Sequence, residues 1–195
     1  EYGITDCYIK PYACCRHIQP AVEAAFGLCT DEDIKFDDIR KVDVETYKIA
    51  TEHAHVPWDD FASAQLSFPY LMGLATRYRG VKFEHFDDKN RADPAFTDFA
   101  SKLTVSAPTE IDQLYPKLRP ARVTITTSKG KFVRQADEAW GSRQVPLDDE
   151  GLIAKFRGLV GPVFGEPRAR QLSELLWNVE ALDNVAPLAE ALAKV

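Results

Sequence analysis

A short segment near the start of the chain concentrates side chains suited to binding an anion. Within eight residues it holds an ammonium, a guanidinium, an imidazole and two thiols, in the order Lys10-Pro11-Tyr12-Ala13-Cys14-Cys15-Arg16-His17. Pro20 then fits a first helical position, because proline there lacks only an N–H that would have no partner anyway. The start of a helix carries free N–H groups and a partial positive charge. We therefore expect a binding site for a carboxylate or phosphate here.

The thiols of the chain have two interpretations. Adjacent cysteines rarely bridge to each other, and the spacing of Cys7, Cys14, Cys15 and Cys29 matches no standard zinc pattern. We interpret them as reduced thiols that pack in the interior. A metal site formed by Cys14, Cys15 and His17 is the alternative, although ligands this close in sequence need further ligands from elsewhere to surround one ion.

Composition and charge limit the classes of function. The chain has 195 residues, of which 45% are hydrophobic and 28% charged, as in ordinary globular domains. Its net charge of −6 argues against a general nucleic-acid binder. No apolar run approaches the roughly 20 residues of a membrane span. The chain opens on Glu1 rather than Met, without a signal-peptide pattern, so we expect a cytoplasmic protein and either an internal piece of a longer polypeptide or a processed start.

Strands and helices are predicted by the spacing of apolar residues. Period-two alternation predicts strands at 40–47 and 102–106 and a hairpin at 121–137 with Gly130 in its turn, and residues 7–9 look strand-like. Helical spacing and capping residues predict helices at 20–29, 67–80, 93–100, 148–160, 167–178 and 184–193. Residues 51–66 are interpreted as a long loop that can include one turn of helix, with solvated His53 and His55.

These elements predict an α+β fold. The strands include a hairpin and do not alternate strictly with helices, which favours a small antiparallel or mixed sheet of about four strands with helices on one face. We expect two parts, an α+β domain at residues 1–147 and C-terminal helices at residues 148–195. The helices of the second part would pack on a helical domain or on a partner.

Several motifs, taken in their order, resemble the C-terminal part of the MmgE/PrpD family. They cover nearly the whole chain and consist of the segment 10–17, Ser67-Phe68-Pro69-Tyr70, Ala75, Gly80, Asp93-Pro94, Arg119-Pro120-Ala121, Gly130, Pro146-Leu147, Lys155-Phe156 and a leucine-rich end. The family includes 2-methylcitrate dehydratase, cis-aconitate decarboxylase and iminodisuccinate epimerase. Two positions depart from the family pattern, since Ala13 replaces a common Pro and Gln19 replaces a second His.

The resemblance implies an enzyme of two domains, of which this chain lacks the large all-helical one. It implies an active site between the domains that needs no metal and no cofactor, and a homodimer. On this basis we expect part of a lyase, a dehydratase-like hydro-lyase, acting on a small di- or tricarboxylate. The isolated chain should be inactive until a helical domain or partner chain completes the site.

Four residues are the candidates for the site. Lys10 and Arg16 would bind a substrate carboxylate, since Arg can form two parallel hydrogen bonds and Lys supplies a point charge. Lys10, His17 and Tyr70 would be catalytic, with His17 as acid–base group and the Tyr70 phenol reaching a substrate oxygen. For each of them the alternative is a structural or solvated role. Cys14, Cys15 and Gln19 are given no catalytic role.

Two functions of different classes remain open at this point. One is the lyase-type chain, which dehydrates, decarboxylates or epimerises a carboxylate. The other is a non-catalytic α+β module that serves in dimerisation or partner binding. Neither is expected to bind nucleic acid or to enter a membrane.

Overall fold

A computed structural model describes residue 3 and residues 7–193 of the chain. The chain forms two compact units, Glu1–Pro146 and Leu147–Val195. Among the described residues no helix is both long and apolar enough to cross a bilayer.

The first unit contains a four-stranded mixed sheet, which confirms the predicted fold class. The strand order is β2-β1-β3-β4, with β1 parallel to β2 and antiparallel to β3, and β3 antiparallel to β4. The strands are β1 (Lys41–Thr46), β2 (Leu103–Ser106), β3 (Ala121–Thr127) and β4 (Gly130–Ala136). The predicted strand at 7–9 is wrong, because residues 7–9 have irregular backbone.

The alternation read from the sequence describes the two central strands well. Val42 and Val44 of β1 are fully buried, as are Val123 and Ile125 of β3, and Val44 lies opposite Val123. The predicted hairpin joins β3 to β4, and Gly130 has a φ of +143°, a conformation that favours glycine. The sheet therefore has one apolar face on the core.

Helix α1 (Gln19–Asp31) packs against β3, β4 and α4 (Phe68–Tyr78). Residues at helical spacing form its inner face, because Ile18, Val22, Ala25 and Cys29 are all fully buried. Ser67 caps α4 as predicted, accepting from the Tyr70 N–H. The end of α4 differs from the prediction, since Arg79 and not Gly80 has the left-handed conformation, with a φ of 54°.

The loop predicted at 51–66 contains one helical turn, as expected, and a second short helix leads into it. Two short helices flank its loop, α2 (Lys48–Thr51) and α3 (Phe61–Ala64), and a reciprocal capping box between Asp60 and Ser63 begins α3. The remaining helices of the first unit are α5 (Asp88–Arg91), α6 (Pro94–Ala100) and α7 (Thr109–Asp112), with 3-10 turns at Phe36–Asp38 and Phe83–Phe86.

The second unit is helical. It consists of α8 (Asp149–Phe164), α9 (Glu166–Trp177), a 3-10 turn at Val179–Ala181 and α10 (Ala186–Ala193). Asp148 caps α8 as predicted, accepting from the Gly151 N–H at 2.8 Å. The Arg168 guanidinium donates to the Ala191 carbonyl and so ties α9 to α10.

Candidate active site

The segment that carries Lys10 is fixed at Ile9. The Ile9 N–H donates to the Gly141 carbonyl at 3.0 Å. Gly141 has a φ of +81°, and a Cβ at this position would lie 2.0 Å from the Ile9 carbonyl oxygen. Only glycine therefore permits this approach. Lys10 itself is exposed, and among the described residues its ammonium makes no hydrogen bond or ion pair, so it is available to a ligand.

Arg16 is buried and fully engaged within the protein. Its Nη1 donates to Gln19 Oε1 at 3.0 Å, and its Nη2 donates to Glu138 Oε2 at 3.2 Å and to the Ala139 carbonyl at 3.4 Å. Its side chain is 8% exposed. The geometry favours a structural role for Arg16 over the predicted contact with a substrate carboxylate.

Gln19 holds the backbone of the segment in place. Its amide donates to the carbonyls of Tyr12 at 3.4 Å and Cys14 at 3.3 Å. Burial raises the pKa of the Cys14 thiol to about 12, an effect that the charge of Lys10 partly offsets. Cys14 is therefore a protonated, packed thiol at neutral pH, as its interpretation from the sequence states.

His17 is half-buried and lies against two tyrosines. Its Nδ1 is 2.6 Å from the hydroxyl of Tyr47, the residue that directly follows β1. Tyr47 is fully buried and stacks on Tyr115, with ring centroids 4.6 Å apart and an angle of 9° between the planes. The imidazole is thus oriented by a rigid aromatic pair.

His53 is the clearest correction to the loop prediction, because it is not simply solvated. Its ring stacks on that of His17 at a centroid distance of 6.1 Å. Its Nε2 is 3.5 Å from the Cys15 Sγ. His55, in contrast, is exposed. We call the group of Cys15, His17, Tyr47, His53, Tyr115 and Arg119 the His17 cluster.

Arg119 is the arginine that the sequence analysis missed. Its guanidinium lies 5.9 Å from the Tyr115 ring centroid and 3.8 Å from Glu138 Oε1, and its side chain is 33% exposed. Among the described residues the guanidinium donates no hydrogen bond. The sequence contained a partial signal, because Arg119 belongs to the Arg119-Pro120-Ala121 motif just before β3, but its place near the end of β1 follows from the pairing of Thr46 with Ala121, which the sequence does not show.

The electrostatics of the cluster keep its histidines neutral. Burial lowers the pKa of His17 below its ordinary value, and its electrostatic interactions with the His53 ring and the Arg119 cation lower it further. Burial also lowers the pKa of His53 and raises that of Tyr47. Near neutral pH the cluster therefore combines uncharged imidazoles, a protonated phenol and one guanidinium cation.

Tyr70 lies away from this group. It is fully buried, and its hydroxyl donates to the His85 carbonyl at 2.6 Å. Its ring stacks on Trp58 at 6.0 Å. Within the part of the chain that the structure describes, its hydrogen bonds and ring contacts involve no member of the His17 cluster. The geometry favours a packing role, and a catalytic role for Tyr70 stays a prediction.

A metal centre was the other interpretation of the cysteines and histidines. Across residue 3 and residues 7–193, no three His, Cys, Asp or Glu side chains are grouped so that they could hold a metal ion. Cys15 Sγ and His53 Nε2 lie 3.5 Å apart, within hydrogen-bond distance for sulfur.

Comparison with known proteins supports the family that the sequence motifs indicated. The model of the MmgE/PrpD C-terminal domain matches residues 12–181. Two relatives are cis-aconitate decarboxylases of Aspergillus terreus, one of them from strain NIH 2624 / FGSC A1156, with 28% and 29% identity over 196 residues. The match covers 94% of this chain and 40% of each relative.

The chain is therefore a C-terminal domain of an α+β type with an attached helical unit. It belongs to the MmgE/PrpD family, as the resemblance of its motifs implied.

Proposed function

We propose that this chain supplies the carboxylate-binding and acid–base part of a lyase or isomerase of the MmgE/PrpD type, acting on a small di- or tricarboxylate. The observation that carries the proposal is the short contact of His17 Nδ1 with the Tyr47 hydroxyl, 2.6 Å, in a cluster with the Arg119 guanidinium, which donates no hydrogen bond to any residue that the structure describes. The family match over residues 12–181 supports the choice of reaction class.

The chemistry requires a base and a set of cations. A proton next to a carboxylate is hard to remove because negative charge accumulates on the carboxylate oxygens in the transition state. Cationic donors aimed at those oxygens lower the barrier. Lys10, which is exposed, and Arg119, whose side chain is 33% exposed, are cations available for this task, whereas Arg16 already pairs with Glu138 and Gln19. The neutral imidazole of His17 would take the proton.

Tyr47 suits an acid–base histidine in both of its states. A phenol can donate one hydrogen bond and also accept, so it can pair with Nδ1 in either tautomer. When Nδ1 carries the proton, Nε2 has a free lone pair and acts as the base. Once Nε2 has taken the substrate proton, the ring is an imidazolium that still donates from Nδ1 to the Tyr47 oxygen, and it acts as the acid by returning the Nε2 proton. Tyr47 would therefore be a positioning residue for His17.

The reaction subtype is the finer part of the proposal. The relatives are named as decarboxylases of cis-aconitate, and our own expectation was a hydro-lyase resembling 2-methylcitrate dehydratase. Both substrates present several carboxylates to the same cations. Decarboxylation of cis-aconitate and dehydration of 2-methylcitrate are therefore the first two activities to test.

The remaining parts of the proposal concern partners and location. The chain spans about 40% of the length of its curated relatives, so we propose that a helical domain or a partner chain completes the site, in a homodimer in the cytoplasm. The isolated chain would then bind substrate weakly and turn nothing over.

A thermal-shift titration tests the binding site in the chain itself. A ligand that binds only the folded state raises the unfolding midpoint. We expect cis-aconitate and 2-methylcitrate to raise the midpoint of the wild type and of Arg40→Gln, an exposed arginine used as matched control, and to raise that of Arg119→Met less. No shift at millimolar ligand in the wild type would contradict a preformed site, and equal shifts would remove Arg119 from it.

A second candidate function is a non-catalytic module for dimerisation or partner binding. It is favoured by large apolar side chains that the second unit leaves exposed, among them Val163 at 63% and Val185 at 65%. Co-expression with the upstream helical region separates the two functions. Turnover of the tricarboxylates by the complex supports the lyase, and a stable complex without turnover supports the module.

A further inference from the structure

Cys15 and His53 form a thiol–imidazole pair that the proposed function does not use. The Cys15 Sγ and the His53 Nε2 are 3.5 Å apart, within hydrogen-bond distance for sulfur. Both side chains are partly exposed, so a reagent can reach them. The two residues are 38 positions apart in the sequence, and therefore the fold, and not local chain geometry, brings them together.

The backbone around both residues holds the pair in place. The Cys15 N–H donates to the Gln65 carbonyl at 2.9 Å, and its carbonyl accepts from the Ile18 N–H at 3.1 Å. The His53 carbonyl accepts from the Phe68 N–H at 3.1 Å. The His53 ring also stacks on His17. The thiol and the imidazole are thus preorganised by three elements of the fold.

The protonation state of His53 suits a proton acceptor. Burial lowers its pKa, so the ring is uncharged near neutral pH. With the proton on Nδ1, Nε2 can accept the thiol proton, and the thiolate is the nucleophilic form of cysteine. The positive charge of Lys10 acts to lower the pKa of the neighbouring Cys14, and that of Arg119 acts to lower the pKa of Tyr47, although burial raises both pKa values overall.

The other cysteines have none of these features. Cys14 and Cys29 are buried, and burial raises their pKa values to about 12 and about 11. Cys7 is exposed, and within the described residues it has no imidazole partner. Cys15, a partly exposed thiol beside an imidazole, can therefore be compared with Cys7, an exposed thiol that has no imidazole partner among the described residues.

We propose that Cys15 is a covalent modification site for carboxylates that carry an electrophilic carbon, with His53 as the proton acceptor. With a haloacetate, the sulfur–carbon bond forms as the carbon–halogen bond breaks, the halide leaves, and the thiol proton passes to His53 Nε2 and then to water. With an α,β-unsaturated carboxylate, sulfur bonds to the β-carbon, and the proton from His53 goes to the α-carbon. Neither step needs an oxidant or a further reactant, and neither depends on the lyase activity.

The test is competitive alkylation of the full chain with iodoacetate and, separately, with the neutral iodoacetamide. Tandem mass spectrometry assigns the modification among Cys7, Cys14, Cys15 and Cys29 over time. We expect Cys15 to react with iodoacetate at least about tenfold faster than Cys7, because a positioned base accelerates proton removal. The rate ratio of Cys15 to Cys7 should be higher with iodoacetate than with iodoacetamide.

Two variants isolate the role of the imidazole. His53→Gln should lower the Cys15 rate to that of Cys7 or below, while His55→Gln, which changes an exposed imidazole of the same loop, should leave it unchanged. Unchanged Cys7 rates and unreactive Cys14 and Cys29 show that each variant is folded. The wild-type comparison needs no variant, so it remains decisive if His53→Gln does not fold.

Three results would overturn the proposal. One is a wild-type Cys15 that reacts no faster than Cys7. Another is a folded His53→Gln variant that keeps the full Cys15 rate. The last is an equal or higher rate ratio with iodoacetamide, which would remove the preference for a carboxylate.

Discussion

Two arginines approach the two oxygens of one carboxylate, and they have different surroundings. Arg16 reaches Glu138 Oε2 at 3.2 Å in the interior, whereas Arg119 lies 3.8 Å from Oε1 at the edge of the His17 cluster. The side chain of Arg16 is 8% exposed and that of Arg119 is 33% exposed. The Arg16–Glu138 pair is therefore buried away from solvent, and we call it the closed pair. The Arg119–Glu138 pair is partly exposed to solvent.

The difference shows how burial assigns roles to identical side chains. A buried guanidinium must have its donors satisfied, because an unpaired charge in the interior is costly. Arg16 meets this requirement with Gln19, Glu138 and the Ala139 carbonyl. Arg119 keeps its donors for a ligand. The buried Oε1 of Glu138 has no hydrogen-bond partner among the described residues, so it holds Arg119 by charge alone.

The largest expected effect comes from opening the closed pair. Arg16→Met removes one partner of a buried ion pair and leaves Glu138 without its main neutralising charge, which typically costs about 3–5 kcal/mol of unfolding free energy. Arg119→Met should cost about 1 kcal/mol or less, since its pair is longer and partly exposed. Urea denaturation of both variants measures the difference. Similar losses of unfolding free energy in the two variants would show that Arg16 is not the more important of the two for stability.

The Lys10→Ala variant tests whether an exposed cation contributes to turnover without contributing to stability. In the complete enzyme we expect turnover to fall at least about tenfold, because an exposed cation that stabilises a developing charge is lost. Stability should be unchanged, since the Lys10 side chain is exposed. Lys131→Ala, an exposed lysine on β4, is the control for nonspecific charge effects. Near-normal turnover of Lys10→Ala would remove Lys10 from the site.

The Tyr70→Phe variant tests whether the hydroxyl of this buried tyrosine stabilises the fold or takes part in catalysis. The variant loses the hydrogen bond to the His85 carbonyl, and we expect about 1 kcal/mol less unfolding free energy. Thermal or urea unfolding gives this value. A fall in turnover that exceeds the loss of folded enzyme would place Tyr70 in the active site after all.

The smallest effect is the pH dependence of stability. The pKa values of His17 and His53 are lower in the folded chain than their ordinary value of 6.5. Below that value the unfolded chain binds more protons than the folded one, so unfolding free energy falls as the pH drops from about 7 to 5. His17→Gln should make this slope shallower. An identical slope in wild type and variant would mean that His17 is not held in its neutral form.

Local pattern was enough to predict much of the fold. Alternation of Val42 and Val44 with Asp43 and Glu45 located β1, and the turn at Gly130 located the hairpin. Such patterns extend over a few residues, so they can be read directly. The end of α4 was displaced to Gly80 because the left-handed conformation of Arg79 is rare for a residue with a side chain.

The site was harder to predict, because its contacts connect distant residues. The Arg16–Glu138 pair spans 122 positions and the His17–Tyr47 contact spans 30. The sequence alone could not show that Arg16 forms an ion pair with Glu138 or that the His53 imidazole lies next to the Cys15 thiol. Arg119 was missed although β1 and β3 were both recognised, because the alternation that identifies a strand does not show which strand it pairs with.

The tight approach of Gly141 to Ile9 has a practical consequence for engineering. Any side chain at position 141 would push against the backbone that carries Lys10. A library that varies residues 10–17 to change substrate preference should therefore keep glycine at 141. Conversely, a homologue with a larger residue at the position of Gly141 must place the backbone that carries its lysine differently. The identity of this one residue therefore indicates from sequence which of the two backbone arrangements a homologue has.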